Sequence, residues 1–599
     1  MAQAAECRAG EQLAGVVKKL DLGVAALVTV KDGCLADDVV EIIDAVDLTI
    51  ACETVDCPLP PLVARDSVLS VMGGQFEAAT LVVPSDAYTA GADLFWEGAA
   101  IYAENSDLKL DDVDVSGLQP GSAAVFGVDS NVEVREGEMK GLGGAGISAL
   151  AFHRAIEVVV DGTVFEGIAQ VGVEANASLA SAGAGVTRFA VENASFTAME
   201  TAWGDISGVV GNFEHTGTTH YKSRSEGNGV VEVRAESTVV TDAIFFETSS
   251  SGSATLWVAD GGSLAISGGR FSPTERSVYA LKVYDVPDTQ IEGGVWEPRQ
   301  PLVILSDTVS ISSARFRVPA SETGQAMLVT EGADLAFSSN SVCAEGVLSG
   351  VTSGLFVLEG SEAGFYGNVF QNITLPKGAL FSAGEDTPTT SDLRFSDNTF
   401  VKVLATALVA GDVGEFGFVN NLVYESTPRV DPTRTPTALT VGYNLWYAPT
   451  LEALLPDAWP EGDLFDAVPT FVEGYTPGCP EEPAEGEEEA IGPAPAADSP
   501  VIDAGSEAVA ESPDGTRSDI GAIDFDHDTD TGGTDTGDTG DDEDSGAEPT
   551  PDCVDGEANC IDGSTVQYGG GCAFGGFGAA AAPLLTLWRR RRPRGAMRG

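Results

Sequence analysis

The sequence predicts an all-β chain: a right-handed parallel β-helix solenoid, then a disordered acidic linker and a short hydrophobic C-terminal segment. Three observations carry this. A strand-and-turn unit recurs in Leu264–Phe271, Val309–Phe316, Leu335–Val342 and Leu393–Phe400, with apolar residues first, third and eighth and small or polar residues from fourth to seventh. From Phe271 the eighth positions fall at Val295, Phe316, Val342, Phe370, Phe400 and Val423, intervals of 20 to 30 residues, which is the period of a solenoid. Glycine numbers 71 in a chain that is 43% hydrophobic, which fits many tight turns between short strands.

The elements follow in order. Residues 1–60 are expected to form an N-terminal cap and first coils; Leu20 to Val30 is apolar but interrupted by Asp21, and reads as a strand. Residues 61–475 form the β-helix proper. Period-2 alternation puts the first and third side chains of each unit on one strand face, and the turn brings the eighth back inward. Less regular copies lie at Leu108–Leu118, Val132–Leu142, Ile156–Phe165, Phe189–Phe196 and Phe416–Val423, and 14 to 18 coils fit the length. Helical repeats are excluded, because their 3.6-period segments are missing and the strands are rich in Val, Phe and Thr. Residues 476–497 form an acidic Pro/Glu loop insertion, and 498–523 a closing segment. Residues 524–552 hold 12 acids and no Lys or Arg, an extended self-repelling linker. A short Cys-containing segment, 553–570, leads to the tail, 571–599.

Charge bounds the partners. The chain has 31 basic and 92 acidic residues, a net charge of −61, and six of the basic residues lie in 573–599. Such a body repels nucleic acid and anionic lipid, so both are excluded as partners. Polysaccharide or a surface protein is expected instead, and the chain is expected to be a monomer.

Nine cysteines are present, and Cys572 belongs to the tail. The other eight form an even set, which in an exported protein reads as disulfides. Spacing suggests Cys7 with Cys34, Cys52 with Cys57 and Cys553 with Cys560; the relation of Cys343 to Cys479 stays open. Zinc is disfavoured, because no Cys-x-x-Cys or paired His occurs. No cofactor is identified, although Asp524, Asp526, Asp528 and Asp530 alternate in a way that could hold calcium.

The candidate catalytic residues are few. Asp111, Asp112 and Asp114 are the densest acidic strand-like group, with Asp112 and Asp114 expected on one face and Arg135 about one coil away. His215, His220, Lys222 and Arg224 form the most basic local patch of the acidic body, expected as an exposed loop. They could read an acidic sugar or act as acid and base.

The strand-turn units are similar to those of the pectin-lyase-like superfamily. The closing segment, Asp498–Gly505 with Ser512–Ala522, resembles that of bacterial surface β-helix proteins, as do Asn420–Val423, Gly442–Trp446 and Asp463–Phe471 upstream. This resemblance implies a structural role for Ser499, Asp503, Asp514, Arg517 and Asp519, tying loops across the open end of the coil. The tail has Gly571-Cys572, an apolar run from Ala573 to Trp588, and then Arg589, Arg590, Arg591 and Arg592. It resembles the C-terminal sorting signal of myxobacterial surface proteins, whose Gly-Cys is the processing site. As a helix the run spans about 24 Å, short of a ~30 Å hydrocarbon core, so transient insertion and sorting are expected, with the arginines on the cytoplasmic side. Export and sorting machinery are then partners of the tail, and the cell surface, outer membrane or extracellular space its destination.

Two functional readings remain. The first is a non-catalytic surface β-helix acting in adhesion, matrix contact or glycan binding. The second is an extracellular polysaccharide lyase or glycoside hydrolase with a divergent site. A groove with three carboxylates and a basic residue within ~10 Å, in calcium or catalytic geometry, favours the second; a flat face lined with Asn, Ser and Thr favours the first. Hydrolase-branch motifs (Asn-Thr-Asp, Asp-Asp with His-Gly, Arg-Ile-Lys) are missing, which favours the first. An exported chain also needs a leader, and Ala2-Gln3-Ala4 has the small-x-small form of a cleavage site, so about 20 residues of signal peptide are expected upstream. An in-frame stop codon immediately before Met1 would overturn that expectation.

Overall fold

The computed structural model describes residues 3–54, 57–77, 96, 98–177, 185–217, 219–226, 228–250, 254–273, 279–320, 326–384, 390–427, 429–433, 435–447, 462–465, 467–471, 475, 478–479, 493–506 and 518–523. All belong to one compact unit, Met1–Asp528; none lies in the second, Thr529–Gly599. The described residues form a parallel β-helix of about 16 coils, with one short helix, Leu13–Val17. A typical coil has three strands, such as Ala254–Ala259, Ser263–Ser267 and Arg270–Ser272. Each pairs in parallel with its counterpart one coil on: Tyr279–Tyr284, Asp288–Glu292 and Val295–Trp296.

The repeat unit places its apolar residues as the alternation predicts. Leu264, Ile266, Phe271, Val309, Ile311, Phe316, Leu335, Phe337, Val342, Leu393, Phe395 and Phe400 are all buried in the core. One register differs. Phe271 pairs with Trp296, and Trp296 with Phe316, so Trp296 fills the place assigned to Val295. A one-residue offset inverts the face of a strand, and only Trp296 is fully buried. The N-terminal strands take part in the coiling: Gln3–Cys7 pairs with Ala26–Val30, which pairs with Leu48–Cys52.

The corner between the second and third strands explains the Gly, Asn and Asp content. In many coils a residue there adopts a left-handed conformation, including Asn193, Asp242, Ser313, Ser339, Gly367, Asp397 and Asn420, and at Gly268-Gly269 and Gly293-Gly294 two do so in succession. These are the residue types that visit this region most readily. The N–H of each corner bonds to the next coil, as Asp242 to Ser267 O at 3.0 Å and Gly367 to Ser396 O at 3.1 Å. The residue after the corner faces crowded backbone. A Cβ at Gly269 would lie 2.5 Å from Ala243 O, and one at Gly294 2.4 Å from Gly268 O.

From Asn340 onward that second position becomes a ladder of asparagines. The side-chain oxygens of Asn368, Asn398, Asn421 and Asn444 accept the backbone N–H of Asn340, Asn368, Asn398 and Asn421, at 2.8–3.0 Å. Their amide groups donate to carbonyls of the preceding coil, as Asn368 Nδ2 to Phe337 O at 2.7 Å and Asn444 Nδ2 to Phe418 O at 2.9 Å. Asp463 ends the ladder, accepting from Asn444 N and, through its other oxygen, from Trp446 Nε1. Burial raises the Asp463 pKa, and these hydrogen bonds oppose the rise.

Aromatic rings form a second internal ladder. Phe165, Phe196, Tyr221, Phe245, Phe271 and Trp296 stack with successive centroid separations of 4.8, 5.1, 4.5, 5.0 and 3.9 Å. The last coils are strapped from outside. Phe471 packs on Tyr424, Tyr475 donates to Gln371 Oε1 at 2.8 Å, and Cys479 is disulfide-bonded to Cys343. That bond closes a loop of 136 residues, large enough to restrict the unfolded chain by roughly 5 kcal/mol on the chain-entropy model.

Replacing Asn398 by Ala orphans the Asn368 N–H and two carbonyls, so a loss of about 2–4 kcal/mol is expected. Because a solenoid responds locally, amide exchange should accelerate first near residues 340–444. Wild-type protection there would contradict the ladder's role.

Candidate ligand-binding face

The sequence-predicted acidic group is broken by a corner. Asp111 ends strand Asp107–Asp111, Asp112 is a left-handed corner with φ 55°, and Asp114 begins strand Asp114–Ser116. Alternation does not run through a corner, so Asp112 and Asp114 do not share a strand face as expected. Asp114 Oδ1 accepts the Glu138 N–H at 2.9 Å, and burial raises its pKa against that bond. One and two coils on, Lys140 lies 2.6 Å from Glu138 and 3.7 Å from Glu166, all three 41–49% exposed. Arg135 pairs with Glu133 instead. Three carboxylates and a lysine thus sit near one another, but on an open strand face. Among the described residues no group of three or more His, Cys, Asp or Glu is arranged to hold a metal.

The basic patch is not a loop, and its members face two ways. His215 lies in strand Ile206–Thr216, and His220, Lys222 and Arg224 in strand His220–Ser225. His215 points into the coil and is 1% exposed, whereas His220, Lys222 and Arg224 are exposed. Lys222 pairs with Glu247 at 2.9 Å and lies over the Phe246 ring. Register places His220 four coils from Asp114, through Glu138, Val164 and Ser195. At about 4.8 Å per coil that is roughly 19 Å, beyond the ~5–9.5 Å at which paired carboxyl groups cooperate in glycoside hydrolysis. The two groups are therefore separate places on the solenoid.

The described residues of the closing segment lie along the flank of the last coils. Val501 and Ile520 cover the outward Leu422 and Leu445, and Gly521 N donates to Asn420 O. Outward leucines on the third sheet give the segment an apolar seat there. Asp519 accepts the Asp503 N–H at 2.8 Å, and Ser499 is buried. Asp514, Arg517, the calcium candidates Asp524, Asp526, Asp528 and Asp530, Cys553, Cys560 and the tail residues Gly571, Cys572, Arg589, Arg590, Arg591 and Arg592 lie outside the described residues. Cys7–Cys34 and Cys52–Cys57 are bonded as spacing suggests. With Cys343–Cys479 they fit an oxidising compartment. Among the described residues no helix is long and apolar enough to cross a membrane.

What the sequence reading missed is a face of the first sheet. Outward positions of consecutive strands stack in a column, Ser207–Glu232–Trp257–Lys282, with Val209 beside Arg234 and Ala259 beside Tyr284. Arg234 lies 5.1 Å from the Trp257 ring centroid, and Lys282 lies 5.4 Å from that of Tyr279. Tyr284, Val209 and Trp203 are 47%, 36% and 38% exposed. The sequence signal is Trp257, Lys282 and Tyr284 at outward places of successive units, visible only once the register is known. The chain matches no protein-family model, and no curated protein matches it.

Burial lowers the pKa of His215 to about 4, from about 6.5 in an unfolded chain. Tyr221 packs beside it, at 5.8 Å between rings, and Asp205 acts on Tyr221. The folded state binds fewer protons between those values, so this contribution is intact above pH ~6.5 and is lost as pH falls to about 4. It amounts to on the order of 3 kcal/mol. Unfolding midpoints from pH 7 to 4 should fall more steeply for the native chain than for His215→Val; parallel profiles would contradict this.

Proposed function

We propose that the chain is an exported cell-surface β-helix protein acting without catalysis, in adhesion, matrix contact or glycan binding. Its contact surface on this reading is the first-sheet face bearing Trp257, Arg234, Lys282, Tyr279 and Tyr284. The observation that carries the proposal is the pairing of half-buried outward rings with cations on a body of net charge −61. Rings stack on the apolar faces of sugars, and Arg or Lys beside them offers charge to uronate carboxylates. The coil spacing of about 4.8 Å repeats these groups along a line, which suits an extended polymer better than a compact ligand. Three disulfides support an extracellular setting, and the tail's likeness to a sorting signal supports surface retention.

The test is binding of the purified chain to a panel of acidic and neutral polysaccharides, with product ends assayed in parallel, with and without calcium. Trp257→Ala should weaken binding to an acidic polysaccharide about tenfold, on the order of 1–2 kcal/mol. Asp112→Ala and His220→Ala should leave it unchanged. Unsaturated or reducing ends lost in either of those variants would replace this reading with the lyase or hydrolase one. Absence of binding to any polysaccharide would direct the search to a protein partner.

A further inference from the structure

The inside of the coils behind that face departs from the rest of the solenoid. Along the second strands the inward column reads Val191, His215, Val240 and Ile266. A histidine therefore replaces an aliphatic residue in one coil. Beside it, the aromatic ladder substitutes Tyr221 for Phe between Phe196 and Phe245. One coil on, Thr238 lies between Phe213 and Leu264 in the neighbouring column. Thr248 follows at the next corner. All four are at most 1% exposed. Among the described residues, both ring nitrogens of His215, the Tyr221 hydroxyl, and the hydroxyls of Thr238 and Thr248 have no partner within hydrogen-bond distance, although the Thr241 backbone lies close enough to act on the imidazole.

Five buried polar atoms without a partner fall in two successive coils, where such groups are nearly always satisfied, and the rings of His215 and Tyr221 lie 5.8 Å apart. Their chemistry defines what would satisfy them. A neutral imidazole presents one donor and one acceptor, and each hydroxyl presents both. A cation cannot satisfy the N–H, and an anion cannot satisfy the ring lone pair. A small neutral group that both donates and accepts meets every requirement, and water is the smallest such group. Hydrophobic rungs bound the section on both sides, Val191 with Phe196 before it and Ile266 with Phe271 after it. Exchange with bulk solvent through the stack would be slow.

We propose that the coil around His215 and Tyr221 encloses an internal site for ordered water, bonded by the imidazole and the phenol. The site is independent of what the outer face binds.

Relaxation dispersion of the water oxygen resonance, recorded on the full chain, detects long-lived internal water. His215→Val and Tyr221→Phe should each lower the dispersion amplitude, His215→Val by the contribution of at least one molecule. Circular dichroism checks that the β content is retained. An amplitude equal to the native chain in a folded variant would overturn the proposal and leave a dry polar cluster. If His215→Val does not fold, Tyr221→Phe decides alone by the same criterion, because it restores the residue type used elsewhere in the aromatic ladder.

Discussion

Everything in this solenoid depends on satisfying backbone hydrogen bonds where the chain turns inside its own stack. Strand segments satisfy their groups by pairing with the coil before and the coil after. A corner cannot do so automatically, and the next coil presses directly against it. The solution is a left-handed residue at the corner, whose N–H reaches the following coil, as from Asp397 N to Val419 O at 3.2 Å. An extended chain cannot turn so sharply in one residue, and a β-branched residue would be strained there. Hence Asn, Asp and Gly hold many of these positions, with Glu136 and Tyr443 as exceptions, and the following place is often Gly, Ala or Asn.

The two internal ladders divide the remaining work. Toward the N-terminal side of the stack, corners are closed by small residues, and cohesion comes from stacked rings and aliphatic columns. Toward the C-terminal side, asparagines take over the corner, each linked to neighbours above and below. A ladder of this kind is cooperative, since removing one rung orphans groups in two coils. The outward closing segment and the Cys343 strap reinforce the same region, where Leu422 and Leu445 would otherwise be exposed.

The candidate residues suggested by charge density proved to be parts of different local structures. Asp112 is a corner residue, and corners favour Asp for conformational reasons. His215 lies inside and His220 outside, on either side of the corner between their strands. Charge clusters in a linear sequence say little in a solenoid, where lateral neighbours are 20 to 30 residues apart. The Trp257, Arg234 and Lys282 face shows the converse. Its members are scattered in sequence and meet only through strand register.

The sequence by itself determined the strand repeat, its inward residues, the approximate coil number and two of the disulfides. Those features are local, because alternation and turn chemistry act within a single unit of 8 to 30 residues. The asparagine ladder was present as Asn340, Asn368, Asn398, Asn421 and Asn444, each two residues before an inward side chain. Its meaning as a column needed the coils to be stacked. Tertiary structure alone decided the register of Trp296, the course of the closing segment, the Cys343–Cys479 bond and the lateral grouping of the outer face. Each depends on which residue of one coil lies over which residue of the next. Insertions of variable length between units erase that information from the linear chain, and only the parallel hydrogen-bond ladder restores it.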